Sequence, residues 1–165
     1  MQAKNIINIE QIEFTDFGDG GKFAASLGRI SPHLGARNLS YNITVIPPGK
    51  RAFAYHRHHA IEEMFFILEG KGTLRYRNEE FPIAEGDFIA CPPGPGGGHQ
   101  VINSGTVVLK FLAVSTNSSP DIVEYPDSGK IGAMAGDFAA PDKGMDVRLI
   151  VKKDAQVDYY EGESD

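Results

Sequence analysis

Apolar and polar residues alternate along much of this chain, in short segments that glycine and proline separate. The segment LSYNITVI, residues 39–46, alternates strictly, and its apolar face carries Leu39, Tyr41, Ile43 and Val45. Successive side chains of a β-strand point to opposite faces, so this period of two predicts a half-buried strand. The Pro-Pro-Gly sequence that follows ends the segment.

Seven further segments are rich in β-branched and aromatic residues and are bounded by Gly, Pro, Asn or Ser. They cover residues 51–58, 63–68, 72–77, 80–83, 87–90, 100–103 and 107–115. Long stretches of helical periodicity are absent from the sequence, and eight short strands within about 80 residues are typical of a sandwich or barrel. The pattern therefore predicts an all-β fold.

The sequence on either side of these segments is polar and rich in turn-forming residues. We predict a β-barrel over residues 39–116, an irregular N-terminal arm over 1–38 and an irregular C-terminal arm over 117–165 that packs on the barrel. The apolar VRLIVKK, residues 147–153, predicts one further strand. The last residues are expected to fray.

Composition restricts the classes of function. The 165 residues suffice for one domain, and the 41% hydrophobic fraction is ordinary for a globular protein. A net charge of −6 provides no basic field for nucleic acid, so the expected partner is a small molecule. Apolar runs stay well short of the ~20 residues that cross a bilayer, and the N-terminus lacks a secretion signal. We therefore expect no membrane contact and a cytoplasmic location.

Four of the five histidines fall in two short windows, YHRHHAIEEMF and GGGHQVIN. His56 and His58 are two residues apart, so a strand would present both imidazoles to the same side. His99 follows CPPGPGGG, a turn that could direct one side chain back across a barrel. Cys91 is the only cysteine, which excludes a cysteine-rich zinc site, and we interpret it as a buried thiol.

A carboxylate completes the candidate site. Glu63 shares parity with Phe65 and Ile67 and would enter the interior with them, which favours it over Glu62. The predicted ligand set is His56, His58, Glu63 and His99. Three neutral imidazoles and one carboxylate suit a single divalent transition metal, such as Zn, Mn, Ni, Fe or Co, and leave a coordination position open for substrate.

At these residues the sequence resembles the cupin superfamily, whose motifs are G-x5-H-x-H-x(3,4)-E-x6-G and G-x5-P-x-G-x2-H-x3-N. The first motif matches Gly49, His56, His58, Glu63 and Gly70, with one extra residue after Gly49. The second matches Gly86, Pro92, Gly94, His99 and Asn103, with two extra residues between Gly94 and His99. The resemblance implies a double-stranded β-helix, the cupin jelly-roll barrel, with metal in its mouth and frequent dimerisation.

Several other residues are candidates or are set aside. Tyr41, Arg51, Arg75 and Lys110, with Tyr55, are candidates for substrate binding or proton transfer. Lys110 is equally consistent with a lysine that extends from the sheet edge, and arginines such as Arg51 and Arg75 are more often simply solvated. His59 has the opposite parity to His58 and is interpreted as a surface or supporting group, and His33 as a loop residue. The glycines before His99 lack the lysine and helix of a phosphate loop.

Two classes of function stay open at this stage. The segments LGARNLSYNITVIPPGKRAFAYHRHHAIEEMFFILEG and IVEYPDSGK resemble bacterial cupins of which some are labelled sugar-phosphate isomerases. The first class is therefore a metal-dependent isomerase or epimerase, or a dioxygenase if the metal is Fe(II). The second is a small-ligand-binding module without catalysis. The outward apolar face of Met64, Phe66 and Leu68 suggests a homodimer.

Overall fold

The computed structural model describes residues 5–138 and 145–163. Strands dominate these residues, with one short helix, α1 (Ser31–Leu34), and two 3₁₀ turns at Ile9–Gln11 and Pro126–Ser128. The strands are β1 (Phe14–Gly18), β2 (Ala24–Arg29), β3 (Leu39–Ile46), β4 (Arg57–His58), β5 (Glu63–Glu69), β6 (Lys71–Tyr76), β7 (Glu79–Ala84), β8 (Phe88–Cys91), β9 (His99–Ile102), β10 (Leu109–Thr116), β11 (Asp121–Tyr125), β12 (Lys130–Gly136) and β13 (Met145–Lys152). Each helix in this part of the chain is too short to cross a membrane.

The strands form three antiparallel sheets. The largest has the order β1-β2-β3-β10-β5-β8, the second β13-β12-β11-β4 and the third β7-β6-β9. One continuous core joins the first and third sheets, and its members include Ile46, Ile67, Leu74, Leu109 and Phe111. The architecture is the all-β, double-stranded β-helix expected from the sequence.

The interior face of β3 is the opposite of the one that its apolar residues suggest. Thr44 and Ile46, both fully buried, pair with the core residues Phe111 and Leu109. Antiparallel partners share a face, so Asn42, Thr44 and Ile46 point into the barrel. The other face is also covered, because Ile43 is only 4% exposed. Alternation therefore located this strand without showing which of its faces is inside.

The strand predicted over residues 51–58 is mostly irregular. Only Arg57–His58 forms a strand, while Arg51 and His56 make isolated bridges to Ile102 and His99. Between them the Phe53 carbonyl accepts a hydrogen bond from the Gln100 side chain at 2.6 Å instead of from a neighbouring strand. A side-chain hydrogen bond thus replaces a strand-to-strand backbone hydrogen bond at this position. The alternation of apolar and polar residues does not reveal this replacement.

Both arms are more regular than the sequence indicated. β1 and β2 extend the largest sheet through pairing of β2 with β3. In the C-terminal arm β11 pairs with β4, opposing Val123 to His58 and Glu124 to Arg57. The predicted strand at 147–153 corresponds to β13. β1, β2, β11 and β12 escaped prediction because their apolar runs are short.

Asn103, a residue of the second motif, supports the barrel. It is fully buried, its amide nitrogen donates to the carbonyls of Ile46 (2.7 Å) and Val107 (2.8 Å), and its amide oxygen accepts from Gly105 N–H (3.0 Å).

Asn103→Ala should lower the free energy of unfolding by about 3 kcal/mol, because it leaves buried backbone groups without partners. Urea denaturation measures this loss. The control Asn38→Ala, at an exposed position, should change stability little, and equal stability of both variants would contradict this role.

Candidate metal centre

The four predicted ligands sit where short elements converge. His58 lies in β4, Glu63 begins β5 and His99 begins β9. His56 joins them through a two-way backbone bridge, in which His56 N–H donates to His99 C=O (3.2 Å) and His99 N–H donates to His56 C=O (2.8 Å). Pairing of the backbones therefore holds the two sequence windows side by side.

The imidazoles surround one carboxylate oxygen. Glu63 Oε2 lies 3.6 Å from His56 Nε2, 3.4 Å from His58 Nε2 and 2.8 Å from His99 Nε2. All four side chains are at least four-fifths buried. The donor atoms of His56, His58 and Glu63 lie within 4.8 Å of one another, so these three residues form a candidate metal site.

Each imidazole is oriented through its other nitrogen. The Nδ1 acceptors are the Ala54 carbonyl for His56 (2.8 Å), the Asp121 carboxylate for His58 (2.6 Å) and the Gly97 carbonyl for His99 (3.1 Å). Carbonyl and carboxylate oxygens only accept, so Nδ1 carries the proton in every case. The Nε2 lone pairs are thereby directed to the common centre, which is the tautomer that binds a metal.

Two buried atoms indicate that the site fits a cation. Glu63 Oε2 and His99 Nε2 are both buried and make no hydrogen bond within the described part of the chain, although they are 2.8 Å apart. Buried polar atoms of folded proteins are nearly always satisfied. A divalent ion bound by both atoms would satisfy them, and the nitrogen and oxygen donors suit a transition metal.

The pKa values show how strongly the site holds positive charge. Burial lowers the pKa of His56. Burial also acts to lower the pKa of His58, but the hydrogen bond to Asp121 and the nearby negative charge of Glu63 outweigh it and raise the pKa to about 9. At His99 the neighbouring Cys91 and Glu63 likewise outweigh burial and raise the pKa to about 10. Burial acts to raise the pKa of Glu63, yet the three imidazoles hold it well below its usual range.

Asp121 is a supporting residue that sequence reasoning missed. Its carboxylate is fully buried and, besides His58 Nδ1, it accepts the backbone N–H groups of His59 (3.2 Å), Ala60 (2.8 Å) and Ile61 (3.4 Å). It lies at the start of β11, in the segment interpreted as an arm. The one available signal was its parity with Val123 and Tyr125, which places it on the buried face of that strand.

Comparison with known proteins agrees with this geometry. Residues 42–115 match the family model for the cupin domain. They form a cupin domain. An uncharacterized protein of Methanocaldococcus jannaschii is 38% identical over 71 residues, 43% of this chain and 54% of that protein. The oxalate-binding protein of Thermotoga maritima is 35% identical over 69 residues, 42% of this chain and 54% of that protein. The matched region thus spans about half the length of these curated relatives.

Solved structures resemble the chain beyond its cupin domain. A proposed sugar phosphate isomerase from Acidithiobacillus ferrooxidans superposes with a TM-score of 0.78 at 25% identity, covering 93% of this chain and 96% of that one. A cupin-superfamily sugar phosphate isomerase from Silicibacter pomeroyi gives 0.76 at 22% identity, covering 91% and 94%. Both similarities extend over the two arms. The similarity to the Silicibacter pomeroyi protein, at 22% identity, shows the fold alone.

A chamber of about 80 Å³ adjoins the candidate ligands inside the cupin domain. Its walls include Asn42, Phe53, Phe65, Gln100 and Phe111. At roughly 30 Å³ per water molecule, the chamber holds two or three waters or a substrate fragment of similar size. Its aromatic walls and small volume limit access of bulk water to the centre.

The predicted substrate-binding residues lie elsewhere. Tyr41 and Lys110 are on the outer faces of β3 and β10, opposite the buried residues of those strands. Arg51 makes two isolated bridges, one to Phe23 and one to Ile102 of β9. Arg75 is engaged already, since it stacks on Tyr55 at 3.9 Å and binds Asp127 through two hydrogen bonds of 2.6 and 2.9 Å. Tyr41, Arg51, Arg75 and Lys110 are all outside the chamber wall.

The remaining residues that the sequence singled out are also placed. His59 Nε2 donates to the Glu124 carboxylate at 2.8 Å, and His59 is not among the residues that line the chamber. His33 lines a separate outer cavity. Cys91 is buried and pairs with Glu63 across β5 and β8, which puts its thiol on the interior side beside His99.

Asp121→Asn should weaken divalent metal binding by about 10- to 100-fold, because a neutral amide polarises the His58 imidazole less than a carboxylate does. Competition with a chromophoric chelator measures the affinity. The matched control is Asp127→Asn, which removes a carboxylate of the same arm that binds Arg75 instead. Equal affinity in both variants would show that Asp121 does not support the metal centre.

Metal affinity should keep rising with pH above neutrality. The raised pKa values of about 9 for His58 and about 10 for His99 mean that both imidazoles carry a second proton, on Nε2, at pH 7 when no ion is bound. A metal must displace those protons, so its apparent affinity increases as pH approaches these values. Cobalt(II) absorption titrations at several pH values measure this trend. An affinity that levels off just above the ordinary histidine pKa of 6.5 would contradict it.

Proposed function

We propose that the protein is a metal-dependent enzyme of the sugar-phosphate isomerase or epimerase type. The observation that supports this most is the convergence of three Nε2 atoms on Glu63 Oε2. We include His99 as the fourth ligand, because its Nε2 is the nearest of the three and is buried without a hydrogen bond. The solved structure from Acidithiobacillus ferrooxidans, named as a sugar phosphate isomerase, supports the same chemistry by analogy.

Bound at these residues, a divalent ion would act as a Lewis acid that lowers the pKa of a C–H or O–H group on a substrate with adjacent oxygens. The protein contributes position and protons. Asn42 lines the chamber, and its amide oxygen accepts from Thr44 Oγ1 at 2.9 Å. We assign its NH₂ group to donate to a substrate oxygen. The polar face of β3 would thus take part in substrate binding, which the alternation of apolar and polar residues did not indicate.

Tyr125 is our candidate proton donor. Its ring stacks on His56 with centroids 6.3 Å apart, which places it at the edge of the metal centre. Burial raises the pKa of its phenol, so the hydroxyl stays protonated at neutral pH and can donate. Asp121 and Tyr125 belong to the same strand, and β11 therefore supplies both a supporting carboxylate and a candidate acid.

The size of the chamber determines how a sugar phosphate would bind. A volume of about 80 Å³ admits only the reacting carbon and oxygen atoms. Phe53, which is 46% exposed, lines both this chamber and an outer cavity of about 500 Å³. Arg29 and Arg148 also line the outer cavity, with Glu13 as its acidic residue, and the two guanidinium groups favour the phosphate end of such a substrate. We propose that the substrate extends past Phe53 from one space to the other.

A second candidate function is the binding of a small dicarboxylate without catalysis. The oxalate-binding relative at 35% identity favours it, and so does a chamber small enough for a two-carbon ligand. A third, dioxygenation, requires Fe(II) at the same ligands. These alternatives differ in metal identity, oxygen uptake and turnover, which the experiment below measures together.

We also propose that the protein is a homodimer. The outer face of β5 is half-buried, and its Phe66 stacks at 4.3 Å on Phe88, which is 73% exposed. The edge strand β13 exposes Leu149 and Ile150 as well. A second copy is the natural cover for such apolar surface, and light scattering during size-exclusion chromatography tests this assignment.

His99→Ala and Glu63→Gln should each lower the bound metal by at least tenfold while circular dichroism shows a folded barrel, because the first removes one of four donors and the second removes the negative charge of another. Elemental analysis measures the metal, and Glu62→Gln is the matched control, since Glu62 is exposed and adjacent. Metal content that matches the wild type in both ligand variants would refute the site.

For the reaction, proton exchange from sugar phosphates in D₂O should occur with the wild type and fail in both variants. Oxygen uptake instead would support a dioxygenase, and oxalate binding without turnover would support the binding module.

A further inference from the structure

A second cavity lies behind the metal-bearing strands. Its volume is about 650 Å³, and its lining includes Tyr55, Arg57, Gly98 and Glu124. These residues alternate with the metal-facing ones along the chain: Tyr55 and Arg57 flank His56, and Gly98 precedes His99. The same backbone therefore separates two spaces, the small metal chamber on one side and this larger cavity on the other.

Positive charge is in excess in this cavity. Arg57, Arg77 and Lys153 line it, and Glu124 is the one acidic side chain among its described lining residues. Glu124 accepts from Arg57 Nη2 at 2.6 Å and from Lys153 Nζ, and it also contacts His59. Chiefly through Lys153, these contacts hold the pKa of Glu124 at about 2. The wall thus carries a net charge near +2, in a chain whose net charge is −6.

The lengthened glycine turn forms one wall of this cavity. The two extra residues between Gly94 and His99, relative to the cupin motif, lie in the segment whose Pro95, Gly96 and Gly98 line the space. The Gly96 carbonyl accepts from Arg77 Nε at 3.1 Å and so positions that guanidinium. A side chain at Gly98 would place its Cβ 2.5 Å from the Tyr55 hydroxyl. The turn therefore lets the Tyr55 hydroxyl pack against its backbone and orients the Arg77 cation at the cavity wall.

We propose that this cavity binds the phosphate group of a small metabolite, at a site separate from the metal centre. The Arg77 guanidinium donates in a fork that suits a phosphate, and Arg57 and Lys153, which Glu124 already pairs, add a net charge of about +1 beside it. The volume exceeds what a bare ion needs and accommodates a phosphorylated sugar-sized molecule. The proposal does not rest on the function proposed for the metal site, because the backbone segments that carry His56 and His99 lie between the two.

Phosphorus NMR and calorimetry with the full chain test it, using inorganic phosphate, ribose 5-phosphate and unphosphorylated ribose as probes. Saturable binding of both phosphates, with none of ribose, is the expected result. Tighter binding of ribose 5-phosphate would identify a phosphate ester as the ligand, and equal affinity would identify inorganic phosphate. Failure of both phosphates to saturate would overturn the site.

Arg77→Met should weaken phosphate binding roughly tenfold or more, since it removes a charge-assisted contact. Asn78→Asp serves as a second variant that keeps the shape of the turn while adding a negative charge to the cavity wall, and it should weaken binding similarly. The matched control is Arg37→Met, an exposed arginine outside the cavity. His56→Ala should leave phosphate binding unchanged. Loss of binding in Arg37→Met to the same degree, or its dependence on His56, would refute a separate site.

Discussion

Attraction between one buried carboxylate and three imidazoles organises this molecule. Glu63 Oε2 lies within 3.6 Å of all three Nε2 atoms, and each imidazole is held from behind by an oxygen acceptor. Without an ion, protons on His58 and His99 balance the carboxylate, which their raised pKa values express. A divalent cation would replace those protons at the same atoms, so the fold prepares the charge arrangement before metal arrives.

The C-terminal arm also takes part in holding the candidate ligands in place. Asp121 orients His58 and also caps three backbone N–H groups after it, so β11 and the loop that carries the ligands form one hydrogen-bonded unit. In the same strand, the Glu124 carboxylate accepts hydrogen bonds from Arg57, His59 and Lys153 on the outer side. One strand therefore supports the candidate ligand His58 through Asp121 and lines the positively charged cavity through Glu124. Each side chain's role follows from its parity along β11.

Much of the site was readable from sequence because its signals are local. A His-x-His pair on a strand fixes two imidazoles on one side, and the parity of Glu63 with buried Phe65 and Ile67 places the carboxylate in the interior, where the structure has all three. The candidate substrate residues were harder to choose, because a lone arginine or tyrosine carries no periodic signal. Arg75 illustrates this, since its partners Tyr55 and Asp127 come from distant parts of the chain.

The sequence by itself determined the all-β class, the strand positions of the barrel and the residues able to hold a metal, since period-two alternation, turn residues and clustered histidines are properties of neighbouring positions. Only the tertiary structure decided which face of β3 is inside, that Asp121 supports His58, and that the glycine turn walls a second cavity. Each of these depends on pairing between segments remote in sequence. Alternation defines two faces of a strand, but what packs against each face is decided by the strands and arms that fold over it.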